Sequence, residues 1–363
     1  MRVAYVVSRY MPSTGGVETH VAQLASRVAA HGHQVDVLTQ EGDGSLPAVE
    51  LVDGVTVRRF PLLLPDPVYP FSASLWRYLA RRGTSYDLVH AHNYHAFPSL
   101  GSALLGPRPL VFTPHYHGTG HRPLGRLLHL PYRAAGALMF KRSSAVICVS
   151  QFEASLVRRH FPFVSDRVSV IPNGVDVVAI KAAEPYPQDR AVILSVGRLL
   201  GYKNVQRTVE ALAHLDESFA LRVVGDGPAR PSLEALAHRL KLDGRVRFLG
   251  RVNESELYRW YRTAAVYVSM SAEEAFGLTL LEALVGGARV VAADIPAHRE
   301  VLSGIDGGRV VLVPLRLEPE ALASTIRRLA AQPPQRTPAS GVPSWEDVVE
   351  RTLRVYQRVL AAA

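Results

Sequence analysis

The fold class predicted by the sequence is α/β, in two successive Rossmann-like domains that each carry a parallel sheet. Three observations predict it. Short β-branched runs alternate with longer helical patterns, as in proteins whose parallel strands are joined by crossover helices. The alternation pauses at Val177–Asp189, a linker containing Pro185 and Pro187, and then starts again. The length, 363 residues, suits two domains of ordinary size.

In the first half the expected strands are Val3–Val7, Gln34–Thr39, Leu88–His92, Leu110–Thr113, Ala145–Val149 and Val168–Ile171. Helical patterns lie between them, such as Glu18–Ala30 and Phe152–Arg159, and Gly32 supplies the stop after the first. The proline-rich stretch Pro61–Pro70 reads as a surface loop. In the second half strands are expected at Val192–Val196, Ala220–Val224, Val246–Leu249, Val266–Ser269, Arg289–Ala292 and Arg309–Val313. Helices are expected at Asn204–His214, Arg230–Leu240, Glu254–Arg262, Leu278–Val285 and Glu318–Ala331. A loop rich in Pro, Ser and Thr, Pro333–Pro343, precedes a final helix, Trp345–Leu360.

Hydrophobic residues make up 48% and charged residues 20%, which excludes a disordered chain. No apolar run reaches the roughly 18 residues of a membrane helix, and Met1–Ser8 lacks the features of a signal peptide, so a cytoplasmic protein is expected. The single cysteine, Cys148, lies in an apolar run and reads as a small buried hydrophobe. Net charge is +9, and residues 108–159 hold eight basic side chains against one acid, Glu153. That surplus fits an anionic partner. No nucleic-acid-binding motif accompanies it, so nucleic acid is not expected.

Ligands of open parallel sheets bind beyond the carboxyl ends of the strands, so the loops just after strands are informative. The loop Arg9–Gly16 ends in Gly15-Gly16 before a helix, where free amides and the positive end of the helix dipole suit an anion. It is not a G-x-G-x-x-G fingerprint, which argues against a nicotinamide enzyme. In the second half Ser195-Val-Gly197-Arg198 follows a strand, and Lys203 opens a helix five residues on. A planar guanidinium fork and an ammonium point charge at a strand–helix junction look like a diphosphate clamp. Gly225-Asp226-Gly227 forms another glycine turn at the same edge. Then comes Glu274-Ala-Phe276-Gly277-Leu278, with Glu282 eight residues after Glu274. An acid at a helix N-terminus can simply complement the dipole, and Glu273 suits that role. Glu282, amid the apolar Leu278–Val285, does not.

Seven of the 14 histidines fall between His90 and His129. His90 and His92 share one strand face, and His115 and His117 another. Metal ligation competes here with a simpler reading, strand-end histidines as hydrogen-bonding groups in a polar cleft. No Cys, Asp or Glu cluster completes a site, so no metal is expected.

Over nearly the whole chain these residues resemble the retaining glycosyltransferases of family 4, which have the GT-B fold. The resemblance rests on Gly15-Gly16-Val17-Glu18, Thr113-Pro-His-Tyr-His-Gly118, Pro172-Asn-Gly-Val-Asp176, Gly197-Arg198 with Lys203-Asn204, Val224-Gly-Asp-Gly-Pro228, and Glu274–Glu282, the family's Glu-x7-Glu signature. It implies an acceptor-side domain over 1–176, a nucleotide-sugar-binding domain over 177–344 that faces it across a cleft, and a helix over 345–363 that crosses back to the first domain. It further implies that Arg198 and Lys203 hold the donor diphosphate. Glu274 would hold hydroxyls of the transferred sugar, with amides around Phe276–Leu278. Glu282 would bind the ribose, Arg251 would lie near the base, Gly16 would meet a phosphate, and His115 would sit near the donor sugar.

Glycosyl transfer passes through an oxocarbenium-like state while a nucleoside diphosphate leaves. The sequence has no Asp-x-Asp motif to hold a divalent metal there. Arg198, Lys203 and the glycine-loop amides would stabilise the leaving charge instead, so metal-independent transfer is expected. The competing readings are a GT-B-fold sugar-nucleotide epimerase and a non-catalytic sugar-nucleotide sensor. The acceptor would be a small-molecule glycoside or a lipid-linked hydroxyl. The basic stretch, with the apolar Leu124, Leu127, Leu128, Leu130 and Leu138-Met-Phe140 between its charges, raises peripheral docking on anionic membrane as an expectation.

Overall fold

The computed structural model describes every residue except Thr14, Asp43, 64–69, 107–108, His117, 119–122, 305–307 and 333–340, and for 123–132 it describes the helical backbone alone. The chain forms two units. Unit 1 is Met1–Asn173 with Trp345–Ala363, and unit 2 is Gly174–Ser344.

Unit 1 runs β1 (Arg2–Val6), α1 (Gly16–Ala30), β2 (Gln34–Glu41), β3 (Val49–Val52), β4 (Val55–Pro61), α2 (Ala73–Arg82), β5 (Leu88–His92), α3 (Phe97–Leu105), β6 (Leu110–Thr113), α4 (Pro123–Arg142), β7 (Ala145–Cys148), α5 (Gln151–His160) and β8 (Val168–Val170). Its sheet has the order β3-β4-β2-β1-β5-β6-β7-β8. Every pair is parallel except β3 with β4. Central strands such as β5 are buried along their length, as expected where helices cover both faces. Helix α1 turns His20, Val21, Leu24, Ala25 and Val28 inward at helical spacing.

Unit 2 runs α6 (Val177–Ala182), β9 (Ala191–Val196), α7 (Val205–Leu212), β10 (Phe219–Val224), α8 (Arg230–Arg239), β11 (Val246–Gly250), α9 (Glu254–Thr263), β12 (Val266–Ser269), α10 (Leu278–Gly286), β13 (Arg289–Ala293), α11 (Pro296–Val301), β14 (Val310–Val313) and α12 (Pro319–Ala330). Its six parallel strands are ordered β11-β10-β9-β12-β13-β14. Helix α9 opens on a capping box, Asn253 with Glu256. The last helix, α13 (Trp345–Ala361), returns to unit 1 and places Trp345, Val348, Val349, Val355, Tyr356 and Val359 in the core that α1 and β1 share. Tyr356 donates to Tyr5 Oη at 2.8 Å and lies 2.6 Å from His90 Nδ1.

Several elements differ from expectation. The linker Val177–Asp189 begins as helix α6, because the Asp176 carboxylate caps it by accepting from the Ala179 amide at 2.9 Å. The β3–β4 hairpin went unread, although Asp53-Gly54 at its turn, both at positive φ, is a strong hairpin signal. Helices α2, α3, α4 and α11 also went unread. Most of the Pro61–Pro70 and Pro333–Pro343 loops, and His117, lie outside the described residues. Among the described residues no helix is long and apolar enough to cross a membrane.

Candidate active site

In unit 2 the site forms where β9 and β12 end side by side. Two loops are stitched together there. Asn204, held in the left-handed region at φ 52°, donates to the carbonyls of Tyr202 at 3.2 Å and Met270 at 3.0 Å. The Ala272 amide donates to the Tyr202 carbonyl at 2.8 Å. This stitching brings Lys203 Nζ to 2.5 Å from Glu274 Oε1, with both side chains about one-fifth exposed. Burial pulls the Lys203 pKa down, but Glu274 beside it, with Tyr202, outweighs burial and leaves the value raised. Lys203 therefore stays cationic. Arg198 is exposed at the end of β9. Together with Ser195, Gly197 and Ser269, these three charged residues line one pocket. The sequence reading gave Lys203 and Glu274 separate parts of the donor, and the structure makes them partners.

The glycines nearby brace the pocket. A Cβ on Gly225 would collide with the Gly197 carbonyl oxygen, and one on Gly227 with that of Leu199. The Leu199 amide donates to Asp226 O at 3.0 Å and the Ala229 amide to Leu199 O at 2.9 Å. Gly225-Asp226-Gly227 therefore packs directly against the Arg198 loop, and the Asp226 carboxylate lies 3.8 Å from Arg230.

Helix α10 follows Gly277, which sits at φ 99°, and no side chain caps its first turn. Phe276 is buried and Leu278 half-buried beside it. Glu282 does not line the pocket. It is buried in the body of α10, accepts from Tyr261 Oη at 2.7 Å, and has its pKa pushed up to about 7 by burial, against the lowering effect of that hydrogen bond. Arg251 is exposed just past β11 and is not a pocket residue. One unpredicted neighbour is His298 on α11. It is fully buried, its Nδ1 donates to Ala293 O at 2.7 Å, and its Nε2 has no partner. A Cβ on Gly277 would touch its ring at 3.5 Å. Burial first, offset in part by the Ala293 hydrogen bond, lowers its pKa and keeps it neutral.

In unit 1, Gly15 and Gly16 open α1 without a side-chain cap, and a Cβ on Gly16 would meet nothing within 4 Å. His115 follows β6 in the left-handed region at φ 48°. The loop is held from behind by Glu153, which the sequence reading counted only as a lone acid. Its carboxylate accepts from the amides of Tyr116 at 2.5 Å and Val149 at 2.6 Å. The signal was present, since Ser150-x-x-Glu153 is a capping-box pattern and Ser150 Oγ does cap α5. His115 belongs to a cluster with His20 and His92, their ring centroids 5.2 to 5.8 Å apart. Burial lowers all three pKa values, that of His20 to about 4.

Part of the basic stretch turns into the fold. Met139 and Phe140 belong to the core, where they pack with Tyr94 and Phe161, and are not available to a membrane. Arg142 is tied to the Ala103 carbonyl at 3.0 Å. Arg108, Arg122 and the side chains of Leu124, Arg126, Leu127, Leu128 and Leu130 lie outside the described residues. Cys148 is buried and unpaired, as expected.

Comparison with known proteins completes the picture. The family model "Glycosyltransferase Family 4" matches residues 14–178, and "Glycosyl transferases group 1" matches 177–340. A D-inositol 3-phosphate glycosyltransferase of Frankia alni is 30% identical over 399 residues, covering 96% of this chain and 96% of its own. Sucrose-phosphate synthase from Thermosynechococcus elongatus superposes with a TM-score of 0.81 at 23% identity, covering 100% of both chains. Anabaena HepE, solved in complex with UDP-glucose, superposes with a TM-score of 0.75 at 19% identity, again over 100% of both. With two parallel-sheet units and the Glu274–Glu282 spacing already in place, the chain belongs to glycosyltransferase family 4 and is a glycosyltransferase of the GT-B fold.

Proposed function

We propose that this glycosyltransferase moves a sugar from a nucleoside-diphosphate sugar to a hydroxyl of a small soluble acceptor, with retention of configuration and without a metal in the transfer step. The observation that carries the reading is the Lys203–Glu274 pair beside Arg198 in one pocket. A nucleotide sugar offers the complementary groups. Its diphosphate replaces Glu274 as the partner of Lys203, and its hydroxyls replace Lys203 as the partner of Glu274, so neither charge is left unpaired on binding. As the glycosidic bond breaks, negative charge grows on the departing diphosphate. Arg198 and Lys203 are fixed where that charge develops, which lowers the barrier. The departing phosphate oxygen takes the proton of the acceptor hydroxyl, so the step needs no protein nucleophile.

The UDP-glucose bound by HepE supports the donor class. The name of the Frankia relative supports a hydroxyl acceptor on a phosphorylated polyol. Glu282, buried within α10 and hydrogen-bonded to Tyr261, would reach a ribose hydroxyl only if donor binding drew its carboxylate toward the pocket. A cytoplasmic location goes with a nucleotide-sugar donor.

The test is a thermal-shift panel of UDP-, GDP- and ADP-sugars, followed by incubation of the stabilising donor with inositol phosphates and simple glycosides. A new conjugate with the donor's anomeric configuration is the expected product. Isomerised donor without conjugate would replace transfer with epimerisation. Binding without either product would mean a sensor. Conjugate formed only with lipid acceptors on sedimented anionic liposomes would replace the soluble acceptor.

A further inference from the structure

Three imidazoles from three different elements meet at the carboxyl end of the unit 1 sheet. His20 comes from α1, His92 is the last residue of β5, and His115 follows β6, the strand hydrogen-bonded to β5. One ring nitrogen from each lies within 4.8 Å of the others. The cluster is buried, and His115 at 9% exposure is its opening.

The hydrogen bonding of this cluster is incomplete. Both ring nitrogens of His92, and Nε2 of His115, are buried without a partner. Each such atom costs about 1–3 kcal/mol in desolvation, so three together in one place call for an explanation. His20 is different. Its Nδ1 lies 2.8 Å from Asn173 Oδ1, an acceptor, which leaves Nε2 as a bare lone pair. A carbonyl oxygen behind one imidazole nitrogen is the outer-shell arrangement that orients a ligating histidine. His90, whose ring lies tilted 4.1 Å from that of His92, is not a fourth member, since Tyr356 and Thr113 occupy its two nitrogens at 2.6 and 2.8 Å.

We propose that His20, His92 and His115 form a three-histidine site for one divalent transition-metal ion of the zinc class. The ring positions suit it. Three imidazoles bound tetrahedrally at about 2.0–2.1 Å per nitrogen have centroids about 5 Å apart. The observed separations are 5.2, 5.5 and 5.8 Å. Tetrahedral ligand nitrogens lie about 3.3 Å apart, so from within 4.8 Å they close by at most about 1.5 Å on binding, largely by ring rotation. The donor set is all neutral nitrogen with no carboxylate, which selects zinc, cobalt or nickel over magnesium and calcium. Three protein ligands leave the fourth position open to water or a small ligand through the His115 side. The site has no part in the proposed transfer step. On the reading that places His115 near the donor sugar, a bound metal ion competes with donor and inhibits.

The experiment uses the full chain stripped with EDTA and then freed of chelator. Zinc titration by calorimetry, with metal content by mass spectrometry, should give one ion per chain at micromolar or tighter affinity. Cobalt(II) should develop the intense visible absorption of a tetrahedral nitrogen site, and millimolar magnesium should do nothing. His115→Ala and His20→Gln should each weaken zinc binding at least 100-fold with circular dichroism unchanged. His238→Ala, a surface control, should leave it intact. Absence of zinc binding to folded protein, binding that survives both substitutions, or an octahedral cobalt spectrum would overturn the site. If zinc binds as expected but transfer is unaffected, the site stands and the placement of His115 beside the donor falls.

Discussion

Removing Lys203 separates the two things its pair with Glu274 does. Both side chains are about one-fifth exposed. Exposed pairs contribute at most about 1 kcal/mol, while breaking a buried pair costs about 3–5 kcal/mol. This intermediate site therefore places Lys203→Ala near 2 kcal/mol of lost stability, or about 4–8 °C in melting temperature for a unit of this size. Glu274→Gln should lose less, because an amide oxygen still accepts from Lys203. In the double variant the orphaned carboxylate is gone, so about 1 kcal/mol should return. Turnover should behave otherwise. Lys203→Ala withdraws a cation from the leaving diphosphate and should lower turnover about 100-fold, about 2.7 kcal/mol of barrier. The double variant should not regain it, since the cation is still missing. Melting followed by circular dichroism and release of nucleoside diphosphate from the stabilising donor read the two effects on the same samples. Turnover within threefold of the parent in folded Lys203→Ala, or a double variant whose turnover recovers along with its stability, would reduce the pair to a structural tie.

Other outcomes follow from the same geometry. Arg198→Ala, an exposed cation, should cut turnover about 100-fold with the melting temperature within about a degree, and an unchanged rate would remove it from the clamp. The Glu282 pKa is raised from 4.5 to about 7, so the folded chain holds this proton longer than the unfolded chain and loses about 3 kcal/mol of stability as pH rises across that window. Glu282→Gln should flatten that slope and raise stability above pH 7 while weakening donor binding; a slope identical to the parent's would contradict it. Transfer should persist in EDTA, and complete loss restored by magnesium or manganese would refute metal-independent chemistry. Gly225→Ala, at φ 122° against the Gly197 carbonyl, should lower the melting temperature by several degrees, and a neutral result would show that the loop can shift.

Much of this was legible in the sequence, because parallel sheets buried on both faces leave continuous apolar runs and the pocket loops are marked by glycines and charges at strand ends. Arg198, Lys203 and Glu274 were identified from such positions. Their pairing was not, because it depends on the left-handed turn at Asn204, whose side chain ties two loops 66 residues apart. Glu282 was flagged by its apolar surroundings, but its Tyr261 partner comes from another helix, and local patterning carries no trace of such a contact. Glu153 stood out only as the one acid of a basic stretch, and nothing in that pattern shows that its carboxylate holds two backbone amides. The histidine cluster was visible only as a local excess. His20 was outside it in sequence, and which rings meet follows from strand order, with β1 lying between β2 and β5. Met139 and Phe140 stood among the apolar residues between the basic charges, and their burial depends on Tyr94 and Phe161, which lie far off in sequence.

The return of α13 to unit 1 has a consequence for synthesis on the ribosome. Unit 2, Gly174–Ser344, is contiguous and emerges whole, whereas unit 1 waits for Trp345–Ala363. Until those residues leave the exit tunnel, the apolar face of α1 has no Trp345, Val348 or Val355 against it, and His90 lacks its Tyr356 partner. The second unit to be translated is thus the first that can finish folding. The nascent first unit meanwhile exposes apolar surface that its last helix covers, and such incompletely packed intermediates are prone to aggregate. Truncation before Trp345 would leave the Lys203–Glu274 pocket of unit 2 whole and strip the core of unit 1 of its last helix.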